Sequence, residues 1–491
     1  MIKFARKSSR IAINILLLIF VIPALFGTFP YIFNDLKKGN NLLYGLLVFL
    51  IFLIIIGKYN KHIKGFYFNN RKEIFLGIIF VTLLYQILLV LSLSGTTGWD
   101  PITLINRAMN RPIGVPDYFS YNPNTIGVMM IEKGLYYLFF KPDLVNFVRI
   151  LNLINIILLD GSCYLLYRVA KRLYDYKVSM IVSCLLWGLI VISPYVAIFY
   201  SDLLAFAVSS ALIYLFSLKS SWYRNLIISF VSAGGYFIKP SIVIVIIAYV
   251  IVVVIKAFSS IQFKPFYKLL VIVIPMILII CSGNALIKSQ IDSSKSYDSW
   301  HFMAMGMAGV GGYYGPDVEA NQRIKSPEKR KIYNINLIKS RLKSYGINGY
   351  SKFLIQKQVN NTSDATFGWR NDGGGDQFLI PFGKGNRIYN KIRYIFTSHN
   401  SQRDWNGFVI IPQLVWVITL VGLLATVVVN DYRMLWMKLT IIGFMLFLLL
   451  YEGGRSRYVI QYLPYIVIAS SVGLRKLFFS NSQKNNLNNG Y

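Results

Sequence analysis

Cysteine and histidine are nearly absent from this chain, three of each in 491 residues. Cys163, Cys184 and Cys281 all fall in apolar runs and read as packing residues. No CxxC motif or Cys/His cluster is present, so the sequence offers no metal centre. Acidic residues are also scarce, 20 against 51 Lys and Arg, giving a formal charge of +31. That excess invites a nucleic-acid reading. The placement of the cations excludes it for most of the chain, because they sit mainly in short loops between apolar runs, as the positive-inside rule requires. No Rossmann or P-loop fingerprint occurs. No internal repeat is visible, which weakens a transporter built from duplicated halves. The N-terminus carries a basic flank and an apolar run, but no small-residue cleavage site follows. It reads as a retained first helix.

What is present is apolar sequence: 55% hydrophobic residues and a mean hydropathy of +0.52. The runs are continuous and not alternating, which excludes a β-barrel. They predict an all-α polytopic membrane protein of about 12 transmembrane helices with a small extracytoplasmic cap. The predicted spans are 11–33, 42–57, 74–94, 147–166, 178–199, 203–218, 225–238, 240–255, 269–286, 408–429, 436–452 and 459–475. Residues 225–255 cross twice or form a re-entrant pair. With this count the basic loops share one side with both termini, and that side is expected to be the cytoplasm. The organisation follows: 1–73, two N-terminal helices; 74–286, a membrane module with a first outer loop at 95–146; 287–407, an outer subdomain; 408–475, C-terminal helices; and 476–491, a cytoplasmic tail, Asn- and Gln-rich at its end and expected to be disordered. The protein is expected in the cell (cytoplasmic) membrane.

Nearly all the unusual polar residues then fall on the outer face. Asp100, in Gly98-Trp99-Asp100-Pro101, ends the third span and opens the first outer loop. It reads either as a turn residue before proline or as a catalytic carboxylate where lipid and water meet. The following stretch, Asp117-Tyr118-Phe119-Ser120-Tyr121-Asn122-Pro123-Asn124, mixes rings with amides, which suits a carbohydrate platform and equally an interfacial loop. Tyr200-Ser201-Asp202 occupies a tight corner between spans. Lys239-Pro240 occupies another, where a lysine either snorkels or binds an anion. Glu452 with Arg455 and Arg457 forms a dense charged corner. Two arginines one residue apart suit a phosphate, and also suit a salt-bridged turn. Ser299-Trp300-His301 and Gly311-Gly312-Tyr313-Tyr314-Gly315-Pro316-Asp317 open the large outer loop. Asn361-Thr362-Ser363 matches a glycosylation sequon.

The third span, the outer loop opened by Asp100 and the short-cornered spans that follow resemble the GT-C fold of polyprenyl-phosphate-sugar-dependent glycosyltransferases. That group includes the protein mannosyltransferases and the aminoarabinose transferase of lipid A. The likeness covers residues 74–286 well and the C-terminal half weakly, and two additional helices precede it. The resemblance implies a GT-C-like module and an inverting transfer of sugar from a polyprenyl-phosphate-linked donor to a cell-envelope glycan, polymer, lipid or protein. In that scheme Asp100 is the catalytic base. Lys239, Arg455 and Arg457 hold the donor phosphate. Asp117, Tyr121, Asn124, Asp202, Glu452 and His301 serve the acceptor or support the site. No cofactor is expected, no metal is assigned although a divalent ion between Asp100 and Asp202 is conceivable, and the partners are membrane lipids and no nucleic acid. The competing classes are a polysaccharide polymerase, with arginines in outer loops, and a transporter or flippase of lipid-linked glycans, with charges at the bilayer midplane.

Overall fold

The computed structural model describes residues 2–38, 70–260, 264–369, 379–397 and 407–479. It shows an all-α polytopic membrane protein. The predicted span 42–57 and the end of the tail lie outside the described residues.

Among the described residues helix α1 (Ile2–Lys38) comes first and α2 (Arg71–Leu93) next, and a two-residue strand β1 (Gly95–Thr96) leads into the loop after α2. That loop carries α3 (Asp100–Ala108), the single turn α4 (Tyr118–Tyr121) and α5 (Ile126–Leu138), the last packing on α3. The membrane module continues with α6 (Leu144–Leu173), α7 (Tyr176–Leu186), α8 (Ser201–Ser217), α9 (Trp222–Ile238), α10 (Val243–Ser260) and α11 (Lys264–Lys288). The segment after α11 holds α12 (Ser299–Met305), α13 (Gly315–Arg323), the long α14 (Pro327–Thr362), strand β2 (Ile380–Pro381) and α15 (Arg387–Phe396). Three helices close the chain: α16 (Ile410–Ala425), α17 (Tyr432–Leu450) and α18 (Leu463–Phe479).

Among the described residues seven helical stretches are long and apolar enough to cross a bilayer, at α1, α2, α6, α10, α11, α16 and α17, and α7 and α8 are shorter apolar helices. Phe75, Leu76, Ile78, Ile79, Phe80 and Val81 on α2 are all more than 45% exposed, as expected of a face that meets lipid and not water. The centre is α18, where Leu463 and Tyr465 through Ala469 are completely buried. It crosses α16 so closely that a Cβ on Gly473 would strike the Gly422 carbonyl, a small-residue crossing of the kind membrane helices use.

The predicted span 178–199 is helical only to Val191, ending in a π turn at Trp187–Val191. Ser193-Pro194 explains the stop, since proline has no N–H to donate and disfavours helix in the residue before it. The segment 192–200 that follows holds only a 3-10 turn at Pro194–Ala197 and is buried throughout, its backbone covered by protein. The two short spans around Lys239-Pro240 are two separate helices, α9 and α10, joined by a 3-10 turn at Pro240–Ile242.

The two sets of polar corners sit at opposite ends of α17, whose 19 residues run about 28 Å. At its start, Arg433 Nη1 donates to the Leu173 carbonyl at 3.2 Å and Lys438 Nζ to Thr426 O at 2.7 Å and Asn14 Oδ1 at 2.8 Å. Nearby, Arg475 pairs with Asp175 at 3.1 Å. At its finish lie the corner 451–462 and the residues gathered around it.

Candidate active site

Asp100 is the first residue of α3. Trp99 before it is extended and Pro101 fills the first turn, where its missing N–H costs nothing and a carboxylate is favoured by the helix dipole. Tyr200 plays the same opening part for α8, with Asp202 in that helix's first turn. The corner after α17 turns at Gly453 and Gly454, the latter at φ +71, and re-enters as a 3-10 helix at Ser456–Tyr462. A Cβ on Gly454 would collide with the Val310 carbonyl, so the corner requires glycine on two counts.

These corners converge. The Tyr200 hydroxyl donates to Asp100 Oδ2 at 3.0 Å. The Tyr118 hydroxyl lies beside the same carboxylate, and burial together with that negative charge raises its pKa. The rings of Trp99 and Tyr200 meet edge to face at 5.3 Å. Over them lies the Arg457 guanidinium, 4.2 Å from the Trp99 ring, 5.3 Å from Tyr458 and 5.7 Å from Tyr200. Three aromatic faces therefore cage one buried cation. Lys239 forms an ion pair with the buried Asp202, and its ammonium stands 5.2 Å from the Tyr458 ring. Burial pulls the Lys239 pKa down, and Asp202 opposes the shift. The Tyr458 hydroxyl donates to Glu452 Oε1 at 3.0 Å. Burial pushes the Glu452 carboxyl up, against the pull of that hydrogen bond and of Arg455 and Arg457.

The structure thus brings together Asp100, Asp202, Lys239, Glu452, Arg455 and Arg457. The others take their contacts elsewhere. Asp117, at φ +56, pairs with Lys295 at 2.6 Å. The Tyr121 ring meets Tyr297 at 5.2 Å, and Tyr297 stacks on His301 at 4.2 Å. His301 is buried, and that burial lowers its pKa to about 4. Asn124 is exposed in a 3-10 turn. Asp117 and Tyr121 thus join the loop after α2 to the segment that runs into α12.

Three residues outside the set expected from the sequence support this corner. Lys357, fully buried in α14, donates to the carbonyls of Gly306 at 2.6 Å, Leu449 at 3.0 Å and Tyr451 at 2.6 Å. It caps the end of α17, where carbonyls lack helical partners and a cation complements the dipole. Asn361 Oδ1 accepts from the Gly454 N–H at 2.6 Å. Its glycosylation sequon is buried inside the protein, and the side chain serves the corner instead. Gln461 accepts from Ser241 Oγ at 2.5 Å and donates to the Tyr458 carbonyl at 3.0 Å, bracing the corner from below. Among the described residues no three or more His, Cys, Asp or Glu side chains gather as a metal site would need.

A family model described as "Conserved hypothetical integral membrane protein" matches residues 3–477. The chain belongs to that family. The family's description agrees with the seven helices of spanning length among the described residues and names no activity. No curated protein matches the chain. Among solved structures, ArnT from Cupriavidus metallidurans, crystallised bound to undecaprenyl phosphate, is similar at 11% identity and a TM-score of 0.32. The match covers 83% of this chain and 79% of that one.

Proposed function

We propose that this family member is a GT-C-like membrane glycosyltransferase. It transfers a sugar from a polyprenyl-phosphate-linked donor to an acceptor of the cell envelope, on the outer face of the cytoplasmic membrane. The observation that supports this most is the gathering of Asp100, drawn from the first outer loop, with the cationic corner 455–457 drawn from the chain's last tenth. A base beside a cluster of fixed positive charge is what an inverting transfer from a lipid phosphate needs.

In this reading the Asp100 carboxylate takes the proton of an acceptor hydroxyl. The hydroxyl oxygen attacks the anomeric carbon from the side opposite the phosphate. The bond from that carbon to the phosphate oxygen breaks, and its electron pair leaves with the lipid phosphate. Tyr200 fixes one oxygen of the base by its 3.0 Å hydrogen bond. Arg455, half-buried, meets the departing phosphate, a role worth a few kcal/mol where water is excluded. Lys239 adds charge from its pair with Asp202, and Arg457 adds its own from inside the aromatic cage.

The test is Asp100→Asn in purified protein and in cells. Transfer should fall by at least about 100-fold, the range of a lost general base, with insertion and thermal unfolding unchanged. Mass analysis of envelope glycans should show a sugar missing in cells lacking the protein. A fully active Asp100→Asn enzyme removes the base assignment, and unchanged glycans remove the transferase.

A further inference from the structure

The loop between α12 and α13 is shaped by glycines at positive φ and leaves Tyr313, more than Tyr314, outside. Gly309 and Gly311 sit at φ +53 and +88, a region that favours glycine. The Gly453 N–H donates to the Gly311 carbonyl at 2.8 Å, so this loop and the arginine corner are joined backbone to backbone. A Cβ on Gly312 would stand 2.6 Å from Gly453 O and 3.8 Å from Arg455 Nε. A Cβ on Gly311 would run into the stem of Lys357 at 2.5 Å, so the lysine that caps α17 also fills the underside of the loop. On the far side the Tyr345 hydroxyl donates to Met307 O at 2.9 Å.

A loop pinned at so many points is rigid, and rigid loops are where preorganised contacts are made. Its tip is Tyr313, directly after Gly312. Tyr314 is held beneath the Arg341 guanidinium, 5.8 Å from its ring. Tyr313 is 57% exposed. The backbone just before it, at Gly312, lies against Gly453 and Arg455, which puts Tyr313 at the rim of the site described above, and its hydroxyl, with a pKa pushed up chiefly by burial, also feels Asp100, Glu319, Glu452 and Arg455. The surroundings specify a ligand with three kinds of surface. A guanidinium suits a phosphate, carboxylates suit hydroxyl groups, and an open ring face suits the C–H face of a sugar.

We infer that Tyr313 is the platform on which the pyranose ring of the donor stacks, with the donor phosphate toward Arg455 and its hydroxyls toward Glu452. This rests on the transferase reading and assigns it a sugar-selecting residue. Tyr313 contributes to binding of the sugar and not to binding of the lipid phosphate.

The test measures binding of the full chain, in detergent, to farnesol, to farnesyl phosphate and to farnesyl phosphate carrying glucose, mannose, galactose or N-acetylglucosamine. Wild type should prefer farnesyl phosphate over farnesol and bind one sugar-bearing lipid more tightly still. Tyr313→Ala should lose about tenfold of affinity for that lipid and none for farnesyl phosphate. Tyr313→Phe should stay within about twofold of wild type for both, because stacking needs the ring alone. Three results overturn the inference: a wild type with no sugar preference, a Tyr313→Ala protein that keeps it, or a Tyr313→Phe protein as weak as the alanine variant. A wild type that does not distinguish farnesyl phosphate from farnesol refutes the transferase reading itself.

Discussion

Replacing Lys239 by Met tests whether the pair at the α9–α10 corner is a buried ion pair and whether it serves the donor. Asp202 is 2% exposed, so its carboxylate has almost no water to replace a lost counter-ion. Removing one partner of a buried pair costs about 3–5 kcal/mol. The Lys239 side chain keeps 15% exposure, which lets some solvent reach the gap and sets the expectation near about 3 kcal/mol. Removing both charges, in Asp202→Asn with Lys239→Met, leaves neither group stranded and should restore most of the loss. The coupling energy from the double-mutant cycle should then be about 2–3 kcal/mol. The assay is unfolding of purified protein in mixed micelles as the fraction of denaturing detergent rises. A Lys239→Met protein as stable as wild type, or a double variant that simply adds the two losses, refutes the argument. The double variant also separates structure from chemistry. If it is folded and binds farnesyl phosphate as well as wild type, Lys239 has no share in holding the phosphate.

Two further outcomes follow from the outer segment. His301, held near 4 against an ordinary 6.5, binds fewer protons folded than unfolded between those values. Stability should therefore fall as pH drops from about 6.5 through about 4, by roughly 2–4 kcal/mol in all, and His301→Phe should flatten that decline in a pH series of thermal unfolding. Lys357→Met strips donors from three carbonyls, and relief of burying an ammonium offsets part of the loss. We expect a net destabilisation of about 2 kcal/mol, with faster proteolysis at 451–458. Wild-type stability and protease resistance would show that the lysine does not hold the corner.

Much of the site was legible because the polar residues that build it interrupt apolar sequence. Asp100 stands out because it follows a run of spanning length, and Lys239 and the pair 455/457 stand out because a charge between two spans is costly. The one-sided arrangement came from counting basic loops, and the contacts of Asp100, Tyr200, Arg457 and Tyr458 show those corners gathered at one end of α17. What could not be read were the partners. The pairing of Lys239 with Asp202 depends on how α8 and α9 fold back on each other across 37 residues. Lys357 is one lysine among many in α14, and nothing local separates it from the exposed Lys352. The amides of Asn361 and Gln461 look like any others until the glycine corner is placed against them. The break after Val191 had a signal in Pro194, which the length of the apolar run concealed.

The smallest element has a consequence for biogenesis. Gly95–Thr96 pairs antiparallel with Ile380–Pro381, so closely that no side chain fits at residue 95. A ribosome delivers the first of these segments long before the second. Until the later one emerges, β1 lacks its strand partner, and Asp100 stands without the corner 455–457 that gathers beside Trp99. A nascent chain can thus seat its early helices in lipid before the residues of the candidate site are together. The candidate site is therefore complete only late in translation.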